Sequence, residues 1–194
     1  MLELALHILD IAENSVRAGA KTVWIDITEN RREDRLRIKI RDDGSGMDPE
    51  TLKRAMDPFY TSKKVRKVGL GLPMLAEAAE RAGGGFTIES TEGAGTRVEV
   101  SFRLGHIDRQ PLGDLAGAMI ALIVGNAGVD FICRHDCDGE VFTLDTREIR
   151  NEIGDIPMNH PEVLKFVRQH IMEGLSGIGT EANRPHHLEG GYGT

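Results

Sequence analysis

The stretch Val68-Gly69-Leu70-Gly71-Leu72-Pro73-Met74, with Leu75-Ala76-Glu77-Ala78-Ala79-Glu80-Arg81-Ala82 behind it, constrains this chain most. Two glycines at alternate positions let the backbone pass close to another group, because no Cβ stands in the way. Pro73 falls where a first helical turn begins, a place that needs no backbone N–H donor. The N–H groups left free there would face an anion, which the helix dipole also favours. Leu72, Leu75, Ala79 and Ala82 supply a core face. The stretch reads either as a phosphate cradle or as a tight glycine turn ahead of an ordinary helix. A two-glycine pattern alone does not separate these readings.

Residues 2 to about 18 read as a helix too apolar to lie on the surface, with Leu2, Leu4, Leu6, Ile8, Leu9, Ile11, Ala12 and Val16. It nevertheless carries a polar row, His7, Asp10, Asn14 and Arg17, spaced three, four and three apart along one side. Polar groups on a buried helix need partners. The Asn14 carbonyl oxygen suits a hard cation such as Mg²⁺, Asp10 can reach a water or the same cation, and Arg17 can meet a phosphate. The competing reading is a solvent-facing stripe.

Val23, Ile25 and Ile27 alternate as a strand, and Leu36, Ile38 and Ile40 as a second, pairing in a hairpin across the charged turn 29–34. The second strand runs into Asp42-Asp43-Gly44-Ser45-Gly46-Met47. A carboxylate at a strand end followed by Gly-x-Gly suits a planar ligand: Asp42 can accept from an exocyclic amine, and Gly44 and Gly46 let the backbone pass beside the ring. A glycine-rich turn is the plainer reading. Asp48-Pro49 is a helix start, with Asp48 as N-cap. Asp57 to Lys64 reads as the start of a loop folding over the ligand, with Lys63 and Lys64 as point charges for phosphates, or as a solvated basic loop. Gly83-Gly84-Gly85 ends the next helix. Two strands follow, led by Phe86 and Ile88 and by Val98, Val100 and Phe102, with Gly93 and Gly95 in the turn between them. The order to residue 104 predicts a layered α+β sandwich with a mostly antiparallel sheet.

Beyond a linker at 106–111, Leu112 to Val124 reads as an apolar helix capped by Asp114. Residues 129–134 and 140–144 read as a hairpin, and helices start near Thr146 and His160. A small α+β domain over 106–172, packed on the first domain at 1–105, is expected. Cys133, His135 and Cys137 alternate on one strand face and invite a metal reading, but a closed Zn²⁺ site wants four ligands and no clear fourth is present. From about Glu173 the chain turns glycine-rich, so 173–194 is expected as a loose tail able to order on a partner.

The formal net charge of -7 argues against broad nucleic-acid binding, which rests on neutralising phosphates with Lys and Arg. Two cysteines form no disulfide framework. The N-terminus lacks a basic signal-peptide region, and the apolar run 115–129 is too short to span a membrane. A cytoplasmic protein without membrane or nucleic-acid partners is expected.

Four motifs thus stand in one order: Asp10 to Ala18, Asp42 to Met47, Asp57 to Lys63 and Gly69 to Leu72, closed by Gly95-Thr96. Together they resemble the nucleotide-binding superfamily of gyrase, heat-shock chaperone ATPases, histidine kinases and mismatch-repair ATPases (GHKL) over residues 1–104. Ala12-Glu13-Asn14-Ser15 and Ala18-Gly19-Ala20 look like the mismatch-repair version. Pro58 to Lys63, Gly69 to Leu72 and Ser90 with Gly93, Gly95 and Thr96 look like histidine kinases. The resemblance implies a Bergerat-type fold binding ATP and Mg²⁺. Asn14 would hold the metal and Arg17 approach phosphate. Asp42 would bind adenine, helped by Thr96 and flanked by Gly44, Gly46 and Met47. Lys63 and the backbone of Gly69, Leu70, Gly71 and Leu72 would meet the phosphates. One departure is at the base: hydrolysing relatives usually place Glu four residues before the asparagine, and here Asp10 is shorter by one methylene, about 1.5 Å. Glu13 has the length but points roughly 100° from Asn14. Lys67-Val68 replaces the glycine that precedes the cradle in kinases. The chain begins at its first helix, so an ordinary autophosphorylating sensor kinase is not expected of it alone. The implied function is a Mg-ATP-binding regulatory protein, kinase-like or a slow ATPase, acting on a protein partner. The alternatives are an anti-sigma-type Ser/Thr kinase and a non-hydrolysing ATP switch. The two-part layout also resembles small ATP-binding accessory proteins of bacterial iron hydrogenases.

Overall fold

Alternation of apolar and polar residues sets the sheet, and helices cover its apolar side. The computed structural model describes residues 3–57 and 71–182. The elements in order are α1 (Leu4–Arg17), β1 (Thr22–Asn30), β2 (Arg35–Asp42), α2 (Pro49–Ala55), α3 (Gly71–Arg81), β3 (Gly85–Thr91), β4 (Gly95–Arg103), α4 (Leu115–Gly125), β5 (Asp130–Cys137), β6 (Glu140–Asp145), α5 (Thr146–Ile153) and α6 (Pro161–Gly177). The six strands form one mixed sheet in the order β3-β4-β2-β1-β5-β6. All pairs are antiparallel except β1 with β5. Val23, Ile25 and Ile27 of β1, Ile38 and Ile40 of β2, and Val98 and Val100 of β4 are buried. Their neighbours in sequence point to the opposite, open face. Helices α3, α1, α4 and α6 lie side by side over the buried face, each in contact with the next. The fold is α+β, a helical layer on one side of a mostly antiparallel sheet.

Side chains end the helices where the sequence places caps. Asp48 accepts from the N–H groups of Glu50 and Thr51, Asp114 from Gly117 and His160 from Glu162.

The second half differs from the small domain expected over 106–172. Its hairpin does not form a sheet of its own: β5 pairs with β1 from Thr22 opposite Asp130 to Glu29 opposite Cys137. Phe131, Leu144 and Val167 belong to the same core cluster as Ile25 and Leu75. The expected loose tail is corrected over its first part, 173–182; residues 183–194 lie outside the described residues. Helix α6 continues to Gly177, Thr180 and Ala182 are buried, and Glu181 holds Arg109 at 2.5 Å.

Among the described residues, no helix is long and apolar enough to cross a membrane. Cys133, His135 and Cys137 do share one buried face. There Glu29 Oε1 lies 2.8 Å from His135 Nε2 and also accepts from Thr180. Burial pushes the Cys133 thiol up to about 12, which keeps it a thiol.

Candidate functional site

A cavity of about 310 Å³ opens between α1, the ends of β2 and β4, and the start of α3. That is the lower end of small-molecule sites, roughly 300–1,000 Å³. Ile11, Ile40, Ile88 and Val98 make apolar walls, and Asn14, Ser15, Arg17, Asp42 and Thr96 supply the polar groups.

Asp42 is the last residue of β2, and the strand's alternation turns its side chain inward beside Ile40, where it is 6% exposed. A carboxylate buried this deeply must be hydrogen-bonded. Its Oδ1 accepts from the N–H of Gly44 at 2.9 Å and of Thr96 at 3.2 Å, and its Oδ2 accepts from Ser15 Oγ at 2.6 Å. A carboxylate offers about four acceptor positions. Among the described residues three are taken, which leaves one on Oδ2, and Asp42 lines the cavity.

The loop behind Asp42 is fixed from several sides. Asp43 Oδ1 accepts from the backbone of Lys21 at 2.7 Å and Thr22 at 2.9 Å. Burial raises the Asp43 carboxyl, but these backbone donors outweigh it and hold it below its ordinary range. Ser45 N–H donates to Ala18 O and Gly93 N–H to Ser45 O. Met47 N–H donates to Ser90 Oγ at 2.9 Å, and Ser90 Oγ lies 2.8 Å from Thr96 Oγ1. Gly46 has φ 64°, and a Cβ there would overlap the Thr91 carbonyl. Only glycine lets this loop lie flat on the β3–β4 turn.

The polar row of α1 divides. His7 points away from the cavity, is buried, and lies 3.1 Å from Gln110 Oε1; burial lowers its pKa. Asn14 and Arg17 line the cavity. Arg17 donates to Asn14 Oδ1, so the oxygen expected to face a cation is engaged by Arg17. Glu13 is exposed and lies 3.8 Å from Arg17. Asp10 is half-buried, and burial raises its pKa against the opposing charge of Arg17. Its carboxylate stands against Gly71, the first residue of α3, where a Cβ would overlap it. Close approach to α1 therefore requires the second glycine of the cradle.

Of the residues expected at the site, Asn14, Arg17, Asp42, Gly46, Met47, Gly71, Leu72 and Thr96 meet around one cavity, with Asp10 beside it. Gly44 lies behind the wall, packed between Ala18 and the Asp42 side chain that its N–H holds. Lys63, Gly69 and Leu70 lie outside the described residues. Sequence reasoning did not assign Ser15 to the site. Its signal was available: a hydroxyl one turn after Ile11, on the apolar side of a buried helix, needs a partner.

The family model described as Histidine kinase-, DNA gyrase B-, and HSP90-like ATPase matches residues 2–106. Sporulation kinase C of Bacillus subtilis (strain 168) is 32% identical over 92 residues, 47% of this chain and 21% of that protein. Sensor histidine kinase YxdK of the same organism is 30% identical over 104 residues, 51% of this chain and 32% of that protein. The chain thus spans a third or less of the length of these two relatives. Among solved structures, the N terminal domain of a DNA repair protein superposes with a TM-score of 0.53 at 16% identity, covering 75% of this chain and 53% of that one. At that identity the likeness is one of fold.

Proposed function

The chain belongs to the family of histidine kinase-, DNA gyrase B- and HSP90-like ATPases, and we propose that it binds ATP with Mg²⁺ in this cavity and acts, kinase-like or as a slow ATPase, on a protein partner. The observation that carries the reading is the one acceptor position left on the buried Asp42 carboxylate. An exocyclic amine such as adenine N6 supplies the missing donor, while Ile40, Ile88 and Val98 give the ring apolar surface on which to lie.

Each residue then has a physical task. Ser15 and the N–H groups of Gly44 and Thr96 orient Asp42. The free N–H groups of the first turn of α3, Gly71 and Leu72 among them, face the phosphates. Arg17 neutralises phosphate charge, and Asn14 offers its oxygen to the cation once Arg17 turns to the phosphate. Mg²⁺·ATP, when bound, would supply an electrophilic γ-phosphoryl group, with the metal neutralising charge on the phosphate oxygens. Asp10, beside the start of α3, is the chain's candidate for holding the proton of an attacking water.

A second reading, a nucleotide switch without chemistry, draws on the shortness of Asp10. Calorimetric titration with ATP and Mg²⁺, followed by measurement of ADP, tests both. Saturable binding lost in Asp42→Asn supports the site, and ADP formation separates an enzyme from a switch. Equal ATP affinity in wild type and a folded Asp42→Asn would overturn the assignment.

A further inference from the structure

The β2–β4 part of the open face carries a charge pattern opposite to that of the chain. On β2 every outward position is a cation: Arg35, Arg37, Lys39 and Arg41. The chain as a whole has a net charge of -7. On the adjacent β4, Arg97 stands directly opposite Arg41 and Arg103 opposite Arg35. Like charges placed directly opposite destabilise a sheet; Asp34 holds Arg103 at 2.6 Å, so it is the Arg41–Arg97 pairing that folding leaves unexplained. Carboxylates only partly offset the remaining cations. Glu99 serves three cations at once, Arg37 at 3.4 Å, Lys39 at 3.6 Å and Arg97 at 3.4 Å. Arg41 has no ion pair among the described residues; its guanidinium lies 4.2 Å over the ring of Trp24.

The position of Arg41 and Arg97 adds a second observation. Arg41 precedes Asp42 and Arg97 follows Thr96, and the Thr96 N–H donates to Asp42. Successive strand residues point to opposite faces. The two arginines are therefore the outer side of the wall whose inner side is Asp42 and Thr96. A shallow pocket of about 180 Å³ lies there, with Arg41, Glu89 and Arg97 among its lining.

We propose that this face docks an acidic protein partner, with a carboxylate received between Arg41 and Arg97 and apolar surface laid on Trp24. The inference rests on the reading above only for the existence of a protein partner. Charge decides the class of occupant. Asp26 stands opposite Lys39 and Arg134, and Glu89 opposite Arg97. These carboxylates would repel an unbroken run of phosphates, whereas an acidic protein surface can place its own lysines against them. Docking on the outer side of the Asp42–Thr96 wall also couples the partner to the nucleotide, and such coupling is reciprocal.

Trp24 is the only tryptophan, so its emission reports on this face directly. The full chain is titrated with a short glutamate-rich peptide carrying a lysine at every fourth position and, separately, with a poly-dT oligonucleotide of equal length. The expected result is a saturable change in Trp24 emission with the peptide that weakens with salt. In the Arg41→Gln/Arg97→Gln double variant the dissociation constant rises about tenfold or more. A control pair off this face, Arg81→Gln/Arg168→Gln, leaves it unchanged. Without peptide, the ATP affinity of the Arg41/Arg97 variant equals that of wild type. Equal losses in both pairs, tighter binding of the oligonucleotide, or a self-associated dimer abolished by Arg41→Gln/Arg97→Gln would each overturn the proposal. If the peptide docks while ATP fails to bind, the docking face stands and the nucleotide reading falls.

Discussion

Ser15 Oγ stands 2.6 Å from Asp42 Oδ2, a hydroxyl of α1 resting on a carboxylate at the end of β2. The contact fixes the first helix to the strand end and decides which lone pair of Asp42 remains available. Replacing Ser15 with alanine frees the carboxylate to rotate and leaves a buried acceptor without its partner. Such a loss costs roughly 1–3 kcal/mol. Ser15→Ala is expected to weaken ATP about tenfold while Asp42→Asn abolishes binding, because an amide puts a donor where an acceptor is needed. Calorimetry on the two variants checks the order; a larger loss in Ser15→Ala would contradict it.

Gly71 is expected to tolerate no side chain. A Cβ there overlaps the Asp10 carboxylate, so Gly71→Ala must push α3 away from α1 or turn Asp10 out. Overpacking of this kind costs about 1–3 kcal/mol. Thermal unfolding should show the loss, and Asp10→Ala in the same chain should recover most of it. A Gly71→Ala variant as stable as wild type would place Asp10 elsewhere.

The buried Glu29 makes stability depend on pH in a definite direction. Burial alone raises its carboxyl, but hydrogen bonds from His135 and Thr180 and the charge of Arg31 outweigh that and hold it below its ordinary 4.5. The folded chain thus binds the proton less readily than the unfolded one. The stabilisation from Glu29 is complete above 4.5 and is lost as pH falls through the lower folded value. Glu29→Gln should cost roughly 1–3 kcal/mol at neutral pH. The gap from wild type should close in acid, and a gap constant with pH would show that the Glu29 charge contributes nothing.

Most elements were legible because they rest on local rules. Alternation marked β1 and β2, and the caps Asp48 and Asp114 marked their helices. Asp42 was legible as a carboxylate at a strand end, and the ordered motifs pointed to the family over residues 1–104, where the family model matches 2–106. What escaped depends on distant packing. The pairing of β5 alongside β1 leaves no mark on either strand, since both have the same alternation whether they share a sheet or not. Glycine misled the reading of the C-terminal part. Gly174 falls where the loose tail was expected to start, yet it sits inside α6, with the ring of Phe142 in the place a Cβ would take. Ser15 escaped because serine carries no charge to mark it as part of a site.

In the proposed function, Asp10 is the residue on which turnover of ATP depends. Its carboxylate stands at the first residue of α3, and burial raises its pKa. A general base must hold the attacking water within about 3 Å, and a side chain one methylene shorter than glutamate reaches less far, so hydrolysis is expected to be slow. Asp10→Asn keeps the shape, removes the basicity, and should lower turnover by roughly 10²-fold or more while leaving Mg²⁺·ATP binding nearly unchanged. Because the carboxyl is raised, turnover should also fall at a higher pH on acidification than an ordinary aspartate at 3.8 would give. Asp10→Glu should speed hydrolysis if reach is the limit. Glu13, exposed and turned toward Arg17, should change little as Glu13→Gln. Steady-state ADP formation by the four proteins checks the order. Loss of turnover in Glu13→Gln but not in Asp10→Asn would move the base off Asp10, and absence of turnover throughout would favour the switch.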